Sequence, residues 1–121
     1  MGGILRDKSF AFAVRIVNAC RFLADEQREF VLSKQLLRSG TAVGALIRES
    51  EFAETKADFI HKLAIARKEA NESLYWLELL LHTSLLTPPQ AASLRGDATE
   101  LLKLLTSSIK TTRLSLATEK N

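Results

Sequence analysis

Two histidines and one cysteine are all that the 121-residue sequence offers for metal or nucleophilic chemistry. His61 follows Asp58 by three residues, and His82 follows Glu78 by four, so each pair would share a helical face. A di-iron or di-manganese bundle needs a Glu from each of two helices and a Glu-x-x-His pair from each of the other two. Asp58-Phe-Ile-His61 has that spacing, with Asp in place of Glu, and no second pair matches it. The His-Glu-x-x-His zinc pattern and a Gly-rich phosphate loop are both absent. Cys20 has no histidine nearby in sequence. His61 is expected on a polar or boundary flank, and His82 near a helix C-terminus, where positive charge is favourable. No metal, no other cofactor, no small-molecule substrate and no enzymatic activity are expected.

Charged residues set among apolar stripes carry more information. Arg38, Glu49, Arg67, Glu69 and Glu72 lie close to core-facing positions. An unpaired buried charge is very costly, so these residues should pair between helices or face another subunit. A second set suits phosphate contact: Lys34, Arg38 and Arg48 on one helix, and Lys103, Lys110 and Arg113 on another. The last three are spaced by seven and then three, which puts them on one stripe with little acidic counterweight near the chain end. Such a stripe is a candidate phosphate-binding edge. It is also what a helix C-terminus favours for its own sake.

These residues need helices to position them, and the apolar periodicity supplies four. The first is expected at about 8–26, capped by Asp7 or Ser9 after a frayed leader. Phe10, Ala13, Val17, Cys20 and Ala24 form one of its stripes; Phe12, Ile16, Ala19 and Leu23 form the next. That face is wide enough for two neighbours. The second helix, about 31–53, has Ser33 as candidate cap, one stripe through Leu32, Leu36, Val43 and Leu46, and another through Leu37, Gly40, Gly44 and Ile47. Two glycines four apart suggest close approach by another helix, since each costs about 1 kcal/mol relative to Ala inside a helix. The third, about 56–84, is the longest pattern, some 40 Å at 1.5 Å per residue, with Thr55 as cap. Its stripe is expected through Ile60, Leu63, Ala70, Leu74, Leu77 and Leu81, with Arg67 in line. The fourth, about 88–114, starts with Thr87 as cap and Pro88 at the first helical position. Ala91, Leu94, Ala98, Leu101, Leu105 and Ile109 form its core stripe. No strand is expected, and the short connections favour an all-α, antiparallel up-down-up-down four-helix bundle over 1–121 as a single domain.

Composition agrees with a folded domain rather than a disordered tail: 46% of residues are hydrophobic and 26% charged. A net charge of +3 is mildly basic, so nucleic-acid binding would require a concentrated patch. One cysteine permits no intrachain disulfide, and the opening residues lack the apolar run of a signal peptide, so the cytoplasm is the expected compartment. Leu74–Leu86 is too short and too polar to span a bilayer, and no membrane partner is expected.

Four segments carry a resemblance: Gly40-Thr-Ala-Val-Gly-Ala-Leu-Ile-Arg-Glu49, Lys56-Ala-Asp-Phe-Ile-His-Lys62, Ala66-Arg-Lys-Glu-Ala-Asn-Glu72 and Tyr75-Trp-Leu-Glu-Leu79. Together they resemble the bundle proteins named after the intervening sequences of 23S ribosomal RNA genes, to which the accessory protein of diversity-generating retroelements is related. The resemblance implies a bacterial, cytoplasmic, non-enzymatic subunit that assembles into a homopentamer. It also implies nucleic-acid binding, to DNA or RNA. By match of motif, Arg38, Glu49, Lys68, Glu69 and Glu72 are the charged positions it marks. Leu46 is a departure, standing where the family usually has Asn. The alternative expectation is a structural or protein-interaction scaffold whose positive charge is incidental.

Overall fold

The apolar stripes become the inward faces of four helices: α1 Gly2–Asp25, α2 Leu32–Ser50, α3 Lys56–His82 and α4 Pro88–Lys120. The structure is a computed structural model that describes residues 2–120. Contacts across each seam run in opposite directions along the two helices. Arg38 meets Glu72 while Glu49 meets Lys62, and Arg95 meets Glu78 while Arg67 meets Thr106. These two pairs are therefore antiparallel, and so is α1–α2, where Gly40 faces Ile16 and Gly44 faces Ser9. α1 closes the square against α4 through Arg15–Asp97 and Lys8–Glu100. The α1–α2 and α3–α4 seams consequently lie on opposite sides of the bundle.

Two helix starts follow the expected chemistry. Thr55 caps α3, its Oγ1 accepting from the Asp58 amide at 3.0 Å. At α4 the cap is reciprocal: the Gln90 amide donates to Thr87 Oγ1 at 3.4 Å, and the Thr87 amide to Gln90 Oε1 at 2.9 Å. α2 differs. Ser33 does not cap it; the helix starts at Leu32, and Val31 in the cap position offers no side-chain bond. The Glu29 carboxylate instead accepts from the amides of Val31, Leu32 and Ser33. A full negative charge at the positive helix end outcompetes a hydroxyl, and the Ser33 hydroxyl turns back to the Glu29 carbonyl.

The ends also move relative to expectation. α1 begins at Gly2 rather than near residue 8, and neither Asp7 nor Ser9 caps it. Burial of Leu5 and Ser9 in the bundle outweighs the poor helix propensity of the opening glycines. α2 stops at Ser50, before the expected 53, because the amides of Glu51, Phe52 and Ala53 fold into tight turns on Arg48, Glu49 and Ser50. α3 stops at His82, and Ser84, at φ 63°, takes the left-handed position that ends it. α4 continues to Lys120 instead of fraying near 114, tied to the start of α3 by Lys56, which bonds Ser115 Oγ at 2.7 Å and pairs with Glu119.

The α4 core stripe falls as the periodicity predicts, all six residues being buried. α2 and α3 are rotated from expectation. On α3 the buried line is Leu63, Ala66, Ala70, Ser73, Leu77 and Leu80. Ile60, Leu74 and Leu81 become half-buried flanks, and Arg67 moves out of the core with them. On α2 the buried line includes Ser33, Ser39 and Ser50. The Ser39 and Ser73 hydroxyls meet at 2.9 Å between α2 and α3. A small polar side chain that bonds its own helix or its neighbour can occupy a core position at little cost. Among the described residues no buried side-chain nitrogen or oxygen lacks a partner. On α1 the stripe of Phe12, Ile16 and Leu23, joined by Cys20, fills the core, while Phe10 is 60% exposed. The wide apolar face thus has an inner half against the bundle and an outer half in solvent.

Gly40 is where an added side chain has the least room between α1 and α2. A Cβ there would lie 2.8 Å from both Ile16 γ-carbons, on a β-branched side chain that is fully buried. At Gly44 an added Cβ would meet the Ser9 carbonyl oxygen at 3.4 Å, an ordinary contact.

Candidate functional site

The expected charge network divides into three places. On the α2–α3 seam, Arg38 Nη1 lies 3.2 Å from both Glu69 oxygens, and Nη2 pairs with Glu72. The Trp76 indole donates to the same Glu72 oxygen at 3.0 Å, and the Tyr75 ring stands edge-on to it, centroids 5.0 Å apart. The bond from Trp76, with that from Arg38 second, holds the Glu72 carboxyl below its usual range. Bonds to Glu69 and then Glu72 raise the Arg38 guanidinium further. Glu49 pairs further along the same seam with Lys62 at 3.1 Å. These pairs sit at the rim, half of Arg38 being in solvent, so they are surface interactions of modest energy. Arg67 pairs with no carboxylate among the described residues; its Nη1 donates to Thr106 Oγ1 at 3.4 Å across the α3–α4 seam. Lys68 is exposed.

The cations proposed for phosphate contact do not form one surface. Lys103, Lys110 and Arg113 share the outer face of α4, exposed, with no carboxylate within 4 Å among the described residues. From Leu101 to Thr118 the helix contains no acidic residue at all. Lys34 and Arg48 lie on the opposite side, each lining a groove between α1 and α2. Arg38 is committed to its two glutamates. One duplex cannot touch both sides of a subunit, so the two basic sets are alternatives.

The α1–α2 side carries what charge patterning missed. A cavity of about 320 Å³ is lined by Val17, Cys20, Ala24, Phe30 and Leu37 with Arg21 and Lys34. A second of about 270 Å³ runs on past Phe10, Ala13, Thr41 and Ala45 to Arg48. Phe10, Val14, Phe30 and Leu37 are 38–60% exposed along this side. The doubled stripe of α1 was the signal for it. Cys20 lies at the cavity wall, donates to the Ser33 carbonyl at 3.2 Å, and has its thiol pushed up to about 11 by burial and then by Glu29. That is an inert, packed thiol.

His61 and His82 are both exposed, and among the described residues no three His, Cys, Asp or Glu side chains come together. Among the described residues no helix is long and apolar enough to cross a membrane.

Four antiparallel helices with polar seams and no strand among the described residues make this an all-α four-helix bundle. The sequence model of the 23S rRNA-intervening sequence protein family matches residues 4–107, and the chain belongs to that family. Lys103 and Arg67 fall inside the matched region; Lys110 and Arg113 lie beyond it. A crystal structure from Bacteroides thetaiotaomicron, of a protein with unknown function from the S23 ribosomal protein family, is 59% identical. The similarity covers 90% of this chain and 97% of that one, with a TM-score of 0.89. No curated protein matches. Leu46, where the resemblance leads one to expect Asn, is partly buried against the core. An apolar side chain suits that place without a polar partner.

Proposed function

We propose that this chain is a non-enzymatic, cytoplasmic subunit that assembles with copies of itself into a pentameric ring and binds nucleic acid through the outer face of α4. The observation that carries the nucleic-acid reading is the stretch from Leu101 to Thr118, where Lys103, Lys110 and Arg113 stand with no acid between them, the flanking Glu100 and Glu119 being paired with Lys8 and Lys56. A single subunit offers few phosphate contacts, but a ring repeats them and sums their field. Assembly is supported by the exposed Phe10, Val14 and Leu37 along the α1–α2 side, apolar area that a second copy would cover. A closed odd-numbered ring needs two unlike surfaces on each subunit. Phe52, 84% exposed in the α2–α3 turn, and Tyr75 on α3 supply apolar contacts away from the α1–α2 side.

The test is a mobility-shift titration with DNA and RNA over a salt series, on protein whose mass is known. Binding that weakens steeply with salt supports the reading; no binding at low salt with the assembly intact overturns it. A second reading, a protein-interaction scaffold, is favoured by the two α1–α2 grooves. Nuclease-resistant recovery of one protein partner, lost on changing Phe10, would support it instead.

A further inference from the structure

The α3–α4 seam changes character along its length. At one end Arg95 Nη2 lies 3.4 Å from Glu78 Oε1. At the other, Lys56 pairs with Glu119. Both contacts join a cation to a carboxylate and are locally neutral. Between them the bond across the seam runs from Arg67 to the Thr106 hydroxyl. Its acceptor is uncharged, so Arg67 keeps its full positive charge. Thr106 stands between Lys103 and Lys110 on the α4 stripe. Of the acids of α3 in this span, Asp58 lies in the first turn, and Glu69 and Glu72 are on the other flank, held by Arg38.

We infer that Arg67 joins Lys103, Lys110 and Arg113 in one four-cation track that grips the phosphodiester backbone of a duplex without reading its bases. This rests on the nucleic-acid reading above and adds a residue, a form of ligand and a mode of recognition. The α4 part of the track is straight and about 15 Å long. A duplex presents a phosphate about every 1.7 Å of axis, counting both strands, so a straight row of cations finds partners in any register. Single-strand sites add aromatic platforms on which bases stack. α4 contains no aromatic residue, and Tyr75 and Trp76 are drawn to the Arg38 side. Contacts that such a row makes to phosphate oxygens fix register and orientation but carry no sequence information. Arg67 donates to Thr106 and is held back in the seam.

The experiment is fluorescence anisotropy of the whole protein with labelled duplexes of two unrelated sequences and their single strands, from 50 to 200 mM salt. Wild type, Arg67→Gln and Arg95→Gln are compared, with helix content and Tm measured for each. Four phosphate contacts give a slope of log K against log salt of about −3.6 for each engaged subunit, and three give about −2.7. Arg67→Gln is therefore expected to flatten the slope by about a quarter, while Arg95→Gln, already neutralised by Glu78, leaves it nearly unchanged. Arg67→Lys should restore it. Both duplexes should bind alike and more tightly than either single strand. Binding by wild type with an unchanged slope in Arg67→Gln overturns the track and leaves the nucleic-acid reading standing, as does tighter binding of single strands. No binding by wild type to any of the four overturns both.

Discussion

Phe10 and Leu37 meet solvent along the α1–α2 side; on the opposite side of the bundle, Lys103, Thr106 and Lys110 do so along α4. The first side has surplus apolar area and two grooves. The second has surplus charge, with hydroxyls and no acids from Leu101 to Thr118. The seam between them in chain order, α2–α3, has its charges and hydroxyls matched, with Phe52 in the turn and Tyr75 as its exposed apolar residues. There Arg38 is matched by Glu69 and Glu72, Lys62 by Glu49, and Ser39 by Ser73. The contrast separates what the fold needs from what it leaves over. The apolar core holds the bundle together and the matched seam leaves little over, whereas the two unmatched sides are the ones proposed to take partners, one apolar and one anionic.

The largest effect is expected from placing charge on the apolar side. Phe10→Glu with Leu37→Glu should reduce the assembly to single chains while helix content by circular dichroism is kept, since both residues lie outside the core. Unchanged mass would move the contact surface elsewhere. Next is the α4 side. Lys103→Gln, Lys110→Gln and Arg113→Gln together should flatten the salt slope of nucleic-acid binding by about 2.7 for each engaged subunit and leave the mass unaltered. Equal binding by the triple variant would remove α4 from the account.

A third comparison lies within the α1–α2 seam. Gly40→Ala drives a methyl into fully buried Ile16 and should cost about 1–3 kcal/mol in urea denaturation. Gly44→Ala meets only ordinary contacts and should gain up to about 1 kcal/mol from helix propensity. Equal effects would mean that Ile16 gives way to a methyl at Gly40. The smallest effect concerns the matched seam. Glu72 titrates below its ordinary value of 4.5 in the folded protein, so its contribution is complete above that pH. It is lost as pH falls through the lower folded-state value. Because the carboxyl is over a third exposed, the change in Tm should be small. Trp76→Phe removes the larger cause, and NMR titration should find the Glu72 pKa nearer 4.5; no change would assign the shift to Arg38 alone.

Much of the fold was legible in the residues, and the exceptions have a common cause. The start and core stripe of α4 were read correctly because its core positions are all Leu, Ile or Ala, and because Thr87-Pro88 marks its start. α2 and α3 were read a fraction of a turn off because Ser33, Ser39, Ser50 and Ser73 hold core positions that hydrophobic periodicity cannot see. Their hydroxyls are satisfied locally or by each other, which only coordinates reveal. That error put Arg67 among the leucines and made it a pairing candidate; rotated outward, it bonds Thr106 instead. Arg38, Glu69 and Glu72 were marked by type and position, though not with Trp76 as their fourth member. Arg15, bonded to Ser93 and paired with Asp97, was invisible, because nothing in sequence links residues so far apart.

The division of labour between the two unmatched sides is tested most directly by light-scattering mass of wild type, the Phe10→Glu/Leu37→Glu variant and the α4 triple variant under one condition. Five times the 13.4 kDa chain is predicted for wild type and the triple variant, and a single chain for the Phe10 variant. A monomeric wild type, or a triple variant that falls apart while the Phe10 variant stays assembled, would contradict it.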